Sequence, residues 1–294
     1  MANVRGHRWW RIVIQHPNAP NFLIVGAARS GSTALAQWLS KHPQVFMPKM
    51  KEPHHFSQIP APIGVQESDS YYALFEAARG FKAVGEASTS YLPMYAETIP
   101  RIKSTLGDPK IIILLRDPIE RFISHVRYYQ MCGFEERDLL TVVDKVGSIS
   151  SDPWQASFDV YSQCSLYASA LAAYQNNYSD VMVIPFEKLS LADDLGEALA
   201  DFLQLDTPVV REEGKPNSSG IARFPMLKPL VRPTVLTRGL ARVLPRGMKE
   251  TLKRSLLTEE AIDPRARATL KERFHPDLEQ LASQVPFSIA QWCE

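Results

Sequence analysis

Two segments of this chain set a fixed positive charge beside hydroxyl groups in a way that suits phosphate-like anions. The first, residues 22–35, reads FLIVGAARSGSTAL. An apolar run gives way to a glycine-containing turn and then to a helical pattern. Free N–H groups from Ala28 through Thr33, in the turn and at the helix start, make a ready anion site. Ser30, Ser32 and Thr33 add hydroxyl donors, and Arg29 adds a planar fork of charged donors. Gly26 and Gly31 have the spacing of the phosphate loop G-x-x-x-x-G-K-[ST], but Ser32 stands where the lysine belongs. A nucleoside triphosphate hydrolase holds its β and γ phosphates with that lysine. Its replacement argues against ATP or GTP hydrolysis and for a ligand with a different phosphate arrangement. The bland alternative is a Gly-Ser turn that joins a strand to a helix.

The second segment, residues 111–129, reads IIILLRDPIERFISHVRYY. Arg116 is the first polar residue after a strand that is apolar on both faces. A buried strand has little reason to end in arginine unless the guanidinium meets an anion or a carboxylate. Ser124 falls two turns into the helix that follows. The alternative is an Arg116 salt bridge to a structural acid, and Arg121 has the same alternative.

A third group carries proton chemistry. Lys51, Glu52, His54 and His55 crowd into five residues. A carboxylate can take a proton, and so can histidine, which titrates near neutral pH. The alternatives are a loop glutamate paired with Lys51 and structurally satisfied rings. Glu86 and Ser88 follow a strand, where they would line an acceptor or donor pocket or serve as structural strand-end residues.

These residues need elements to position them. Residues 22–25 read as a strand and 32–41 as a helix, with Leu35, Trp38 and Leu39 at helical spacing. Residues 81–84 form a short strand. Residues 110–115 suit a central parallel strand covered by helices on both sides. Asp117 and Pro118 start a helix as cap and first helical residue. Residues 162–177 read as one helix, 181–184 as a strand and 195–203 as a helix; 57–70 and 148–153 read as loops. Strand and helix alternate, so the fold class is α/β, a P-loop-like parallel sheet flanked by helices. Ligands of such folds bind beyond the carboxyl ends of the strands, where these residues lie. Residues 208–233 are rich in Pro, Gly, Asn and Ser and read as a surface excursion.

Composition sets limits. With 294 residues, 45% hydrophobic and 22% charged, the chain can build a sizeable core. A net charge of +1 gives no global field, so no nucleic-acid partner is expected and any anion site is local. Cys132, Cys164 and Cys293 are odd in number and scattered, which suits buried thiols in a reducing compartment. No histidine or cysteine spacing indicates a metal, and none is expected. The N-terminus has no signal-peptide pattern and no segment reaches membrane-span length, so a cytoplasmic protein is expected.

Together the first two segments resemble those of the sulfotransferases. The R-D-P-x-x-R-x-x-S element is complete in Arg116, Asp117, Pro118, Arg121 and Ser124. Lys51-Glu52-Pro53-His54-His55-Phe56 resembles the K-E-P-x-x-F element of the heparan-sulfate-like and bacterial branch. Residues 85–92, GEASTSYL, resemble its G-E-x-S-P-x-Y element with Thr89 in place of proline. Residues 183–187 resemble its late strand, and the stretch from Phe274 to Trp292 its closing helix. The resemblance implies one sulfotransferase domain over 1–294, with 208–260 as a lid or acceptor-side excursion.

The implied donor is 3′-phosphoadenosine 5′-phosphosulfate (PAPS), with adenosine 3′,5′-bisphosphate (PAP) as product. Residues 28–33 would hold the 5′-phosphosulfate, and Arg116 and Ser124 the 3′-phosphate. Glu52 is the implied general base, with His54 and His55 as lesser candidates. Arg29 stands where many relatives carry a catalytic lysine and would stabilise the leaving phosphate by charge alone. Lys51, Glu86 and Ser88 would face the acceptor. Lys215, Gly220 and Arg223 lie in a late loop resembling one that closes over the nucleotide.

The acceptor is expected to be a small metabolite, lipid or glycan carrying a hydroxyl or amine. The stretch 228–254 carries eight basic residues against one acid, Glu250. It reads as an acceptor lid, as a membrane-surface helix reaching a lipid acceptor, or as a solvated helix face. Two other functions compete. A P-loop kinase or hydrolase is weakened by Ser32, and a non-catalytic PAP-binding protein by the intact Glu52, Arg116 and Ser124.

Overall fold

In the computed structural model the described residues are 16–59, 63–144, 158–191, 194–211, 221–222, 257–258 and 262–293. Five parallel strands form one sheet in the order β2-β3-β1-β4-β5. They are β1 (Phe22–Gly26), β2 (Val45–Phe46), β3 (Ala83–Ala87), β4 (Lys110–Leu115) and β5 (Val181–Pro185).

The central strands are apolar on both faces because both faces are covered. Phe22 and Ile24 of β1 and Ile112 and Leu114 of β4 pack with Leu35 and Leu39 of α1 (Ser32–Leu39) and with Leu199 and Leu203 of α9 (Asp194–Leu203). Leu23, Val25, Ile111, Ile113 and Leu115 pack on the other face. There they meet Ile102 of α3 (Tyr95–Leu106) and Leu171 of α7 (Ala168–Asn177). After β1 the chain moves toward β2 and β3 with α1 on one face. After β4 it moves toward β5 with α7 on the other. The connection reverses between β1 and β4, so a crevice opens at their carboxyl ends.

Helix α4 (Pro118–Cys132) starts as its sequence dictates. The Asp117 carboxylate accepts from the N–H groups of Ile119 (2.8 Å) and Glu120 (3.2 Å), with Pro118 in the first turn. A third core cluster joins α4 to α5 (Leu139–Asp144) and to the long α10 (Pro264–Leu281), through Phe122, Val142 and Phe274. The remaining helices are α2 (Ser68–Ala73), α6 (Phe158–Gln163), α8 (Lys188–Leu191) and α11 (Ala290–Cys293). Two short strands, β6 (Ile221–Ala222) and β7 (Leu257–Thr258), pair antiparallel.

Several expectations need correction. Residues 162–177 are not one helix: α6 ends at Gln163 and α7 begins at Ala168. The Asp277 carboxylate of α10 accepts from the N–H groups of Tyr167 and Ala168 at 2.8 and 3.1 Å, starting a new helix there. The second long strand is 83–87 rather than 81–84, and it carries Glu86 in its buried interior. Helix α2 begins inside the stretch read as a loop. The closing helix starts at Pro264, well before Phe274, and runs through Pro276. Cys132 and Cys164 are half-buried and Cys293 is exposed, so the thiols are not uniformly buried. Residues 148–153 and most of 208–260 lie outside the described residues.

Candidate active site

The loop between β1 and α1 is shaped by backbone that few side chains adopt. Arg29 has φ of 69° and Gly31 has φ of 89°. At Gly31 a Cβ would fall 2.2 Å from the Leu189 side chain, so glycine is required on both grounds. Gly31 is also the N-cap of α1 and supplies no side-chain cap, leaving the first N–H groups of the helix for another partner. Ser30 is fully buried, and its hydroxyl has no hydrogen-bond partner among the described residues. Ser32 is buried, Ala28 half-buried and Thr33 exposed.

Three guanidinium groups converge on this loop. Arg29 donates Nε to the Ser124 hydroxyl at 3.2 Å and lies over the Tyr128 ring, 4.7 Å from its centroid. Arg116, at the end of β4, donates to the Arg29 carbonyl at 3.3 Å and lies over the Phe186 ring at 4.7 Å. Arg121, fully buried, reaches the Ala28 carbonyl at 3.5 Å. It also donates to the Ser165 hydroxyl at 2.6 Å, to the Tyr161 carbonyl and to Nδ1 of His125 at 3.0 Å.

Among the described residues no carboxylate is ion-paired with any of the three. The salt-bridge alternative for Arg116 and Arg121 is not what holds them. Burial first, and then the charges of Arg116 and Arg121, pull the Arg29 pKa down, while Tyr128 opposes them. Burial likewise pulls the Arg121 pKa down, and cations held this close together favour the arrival of an anion.

The second half of the site lies at the carboxyl end of β3, beside β1. The Glu52 N–H donates to the Ala87 carbonyl at 3.0 Å, tying the 51–57 segment to the strand end. Glu52 and His54 both take left-handed backbone, φ 59° and 53°. The Glu52 carboxylate accepts from the Thr89 N–H at 2.7 Å and from its hydroxyl at 3.2 Å, and is ion-paired with Lys51. His54 places Nε2 3.7 Å from Glu52 and Nδ1 2.7 Å from the Ser90 hydroxyl. Burial, more than any other influence, lowers the His54 pKa, with Glu52 opposing and Lys51 assisting. His55 donates Nδ1–H to the Val65 carbonyl at 2.8 Å and stacks on Tyr71 at 4.1 Å. Burial lowers its pKa too.

Glu86 and Ser88 are both fully buried and hydrogen-bonded to each other at 2.6 Å. Their side chains do not open onto a pocket; they lie under the 51–57 segment. Burial of both side chains favours the structural alternative for Glu86 and Ser88, since a strand-interior carboxylate with no exposed surface reaches only its neighbours. Tyr128 was not foreseen from the sequence, although Ser124 and Tyr128 are four residues apart on α4 and so share one face. Lys215, Gly220, Arg223 and residues 228–254 lie outside the described residues. Among the described residues no cluster of His, Cys, Asp and Glu could hold a metal, and no helix is long and apolar enough to cross a membrane.

A five-stranded parallel sheet flanked by helices, with a glycine turn after its central strand and an arginine after the next, defines a P-loop-like α/β fold. The profile of the sulfotransferase family matches residues 20–205, and the chain belongs to that family. A crystal structure of a sulfotransferase from Alicyclobacillus acidocaldarius superposes with a TM-score of 0.67 at 25% identity, covering 94% of this chain and 99% of that one. The membrane-associated sulfotransferase kil1 of Dictyostelium discoideum is 35% identical over 109 residues, 37% of this chain and 23% of that protein. Human heparan sulfate glucosamine 3-O-sulfotransferase 3B1 is 25% identical over 250 residues, 80% of this chain and 59% of that protein. The chain thus spans less than two thirds of the length of these curated relatives.

Proposed function

We propose that the protein transfers a sulfuryl group from PAPS to a hydroxyl or amine of a small-molecule, lipid or glycan acceptor. The observation that carries this reading is the convergence of Arg29, Arg116 and Arg121, unpaired with any described carboxylate, on one loop at the β1/β4 reversal. The buried Ser30 hydroxyl, without a partner among the described residues, fits a ligand oxygen. PAPS carries phosphate at two ends of one nucleoside, which matches an anion loop after β1 and a second site after β4.

The donor supplies an activated sulfuryl group on a phosphate; the chain supplies the rest. The N–H groups of 28–33 and the hydroxyls of Ser30, Ser32 and Thr33 would hold the 5′ end. Arg116 and Ser124 would hold the 3′-phosphate. Arg29 is a permanent cation and would neutralise charge on the leaving phosphate without giving up a proton. Glu52 would accept the acceptor's proton, with Thr89 fixing the carboxylate and Lys51 beside it. His54 faces Glu52 and would orient it; His55, with Nδ1–H engaged and its ring stacked, is the weaker base.

Thermal unfolding tests the reading. A ligand that binds only the folded state stabilises it by about 2.7 kcal/mol at a hundredfold excess over Kd. PAP is expected to raise Tm by several degrees, AMP by little, and ATP with magnesium by no more than AMP. A shift with ATP and magnesium alone would replace this reading with a nucleotide kinase. Acceptor screening with radiolabelled PAPS then compares phenols, oligosaccharides and lipid vesicles.

A further inference from the structure

The sequence element 85–91 does its work under the active-site loop rather than in the pocket. Glu86 points into the protein from β3, wholly buried. Its carboxylate accepts from Tyr71 of α2 at 2.6 Å and from Ser88 at 2.6 Å, and the Tyr91 hydroxyl lies beside the same group and helps hold its charge. Two of these hydroxyls also accept backbone N–H groups of the neighbouring segment. Ser88 accepts from His54 at 3.0 Å, and Tyr91 accepts from Phe56 at 3.2 Å.

A hydroxyl has one proton to give. With Ser88 donating to Glu86, its lone pairs are left facing the His54 N–H. The carboxylate therefore sets the direction of the Ser88 hydroxyl, and Ser88, with Tyr91 beside it, anchors the segment that carries Glu52. That segment holds two non-glycine residues in left-handed backbone, an arrangement that persists only where surrounding contacts over-determine it.

We propose that Glu86 is a positioning residue for Glu52, acting through Ser88 and Tyr91 on the backbone of 52–56. The proposal rests on the reading of Glu52 as the base. It accounts for Glu86, Ser88 and Tyr91 at spacings of two and three residues by one function. It also makes the site sensitive to the protonation of a group that never touches substrate. A protonated Glu86 would have to donate its own hydrogen to Tyr71, Ser88 or Tyr91, and one of those hydroxyls would turn. Burial raises the Glu86 pKa to about 7, against the pull of its hydroxyl donors, and Glu52 adds to the rise. The groups facing it are Tyr71 of α2, Ser88 and Tyr91 after β3, Glu52 of the adjoining loop and Tyr174 of α7.

The test uses Glu86→Gln and Ser88→Ala in the full chain, with PAPS and with water as the acceptor, so that PAP release is the readout. Amide exchange over 52–57 is followed by mass spectrometry. Glu86→Gln should speed exchange there about tenfold, slow PAP release about tenfold and leave PAP affinity within about twofold. The wild-type rate should fall between pH 8 and pH 6, and the Glu86→Gln profile should be flat over that interval. Ser88→Ala, a smaller change, should show the same faster exchange if the glutamine variant does not fold. Unchanged exchange and an unchanged pH profile in a folded variant would overturn the proposal. Glu52→Gln is run in parallel. Its failure to slow PAP release would overturn the base reading, whereas a slow Glu52→Gln beside a normal Glu86→Gln would sink this proposal alone.

Discussion

Arg29 lies against Tyr128, its guanidinium carbon 4.7 Å from the ring centroid, while its Nε donates to Ser124. A planar guanidinium can stack and hydrogen-bond at once; an ammonium on a flexible stem holds such a pose less well. Arginine in this loop thus comes with an aromatic shelf. The relationship fixes the one cation proposed to meet the leaving phosphate, with Arg29 half-buried against a ring that is itself 37% exposed.

Removing the charge and removing the shelf should therefore differ. Arg29→Ala is expected to slow PAP release from PAPS by about 10²-fold or more, the scale of losing a preorganised charge stabiliser. PAP affinity should change far less. Tyr128→Leu leaves the charge but not the stacking and should cost about threefold to tenfold, the range of an exposed to partly desolvated cation–π contact. Arg29→Lys should fall between them. Single-turnover rates alongside PAP titrations check the order; equal rates for wild type and Arg29→Ala would remove Arg29 from the mechanism.

Arg116 and Ser124 are assigned to a phosphate that PAP has and AMP lacks. Arg116→Ala removes a charge-assisted donor, worth about 1.5–3 kcal/mol, or about tenfold to a hundredfold in affinity. The loss should appear in calorimetric titration with PAP and be nearly absent with AMP. Equal losses for both ligands would place Arg116 at the 5′ end instead. Because Arg116 also supports the Arg29 carbonyl, Arg116→Lys is the useful companion, keeping charge while removing the planar fork.

How much of this could be read from residues alone depends on how local the causes are. β1 and β4 were legible because strands covered on both faces leave an unbroken apolar run. The start of α4 was legible because its cap lies within three residues. The break between α6 and α7 was not, since Asp277, which caps α7, is 110 residues from Tyr167. The segment 85–91 was legible as a motif but not in its action. A carboxylate inside a buried strand reads like a strand end, and only the folded pairing of Ser88 with His54 and Tyr91 with Phe56 reveals what it supports. The α/β parallel sheet itself was expected from alternation and is what the chain forms.

Gly85 precedes Glu86 for a packing reason. It pairs in register with Phe22 of β1, and a Cβ at Gly85 would sit 2.0–2.5 Å from the Phe22 ring. Gly85→Ala must push that ring out of the core and should cost about 1–3 kcal/mol, the usual range for overpacking. Denaturant unfolding measures it. Phe22→Leu in the same chain should recover part of the loss by vacating the space, whereas additive losses would show that the ring is not the obstacle.

Glu86 also links stability to pH, and the sign follows from where its proton is held. In the folded protein its pKa is raised to about 7 from the ordinary carboxyl value of 4.5, with burial the largest cause. Between those values the native state binds more proton than the unfolded state, so stability falls as pH rises. The full excursion corresponds to about 3 kcal/mol, present below the unfolded value and lost as pH passes through the folded one. Glu86→Gln cannot ionise and should lack this slope. Urea unfolding at pH 5, 6, 7 and 8 should therefore show the glutamine variant gaining on the wild type as pH rises, by about 3 kcal/mol across the series. Parallel curves would mean that the buried carboxyl keeps an ordinary affinity for its proton, its hydroxyl donors Tyr71 and Ser88 having offset the cost of burial in full.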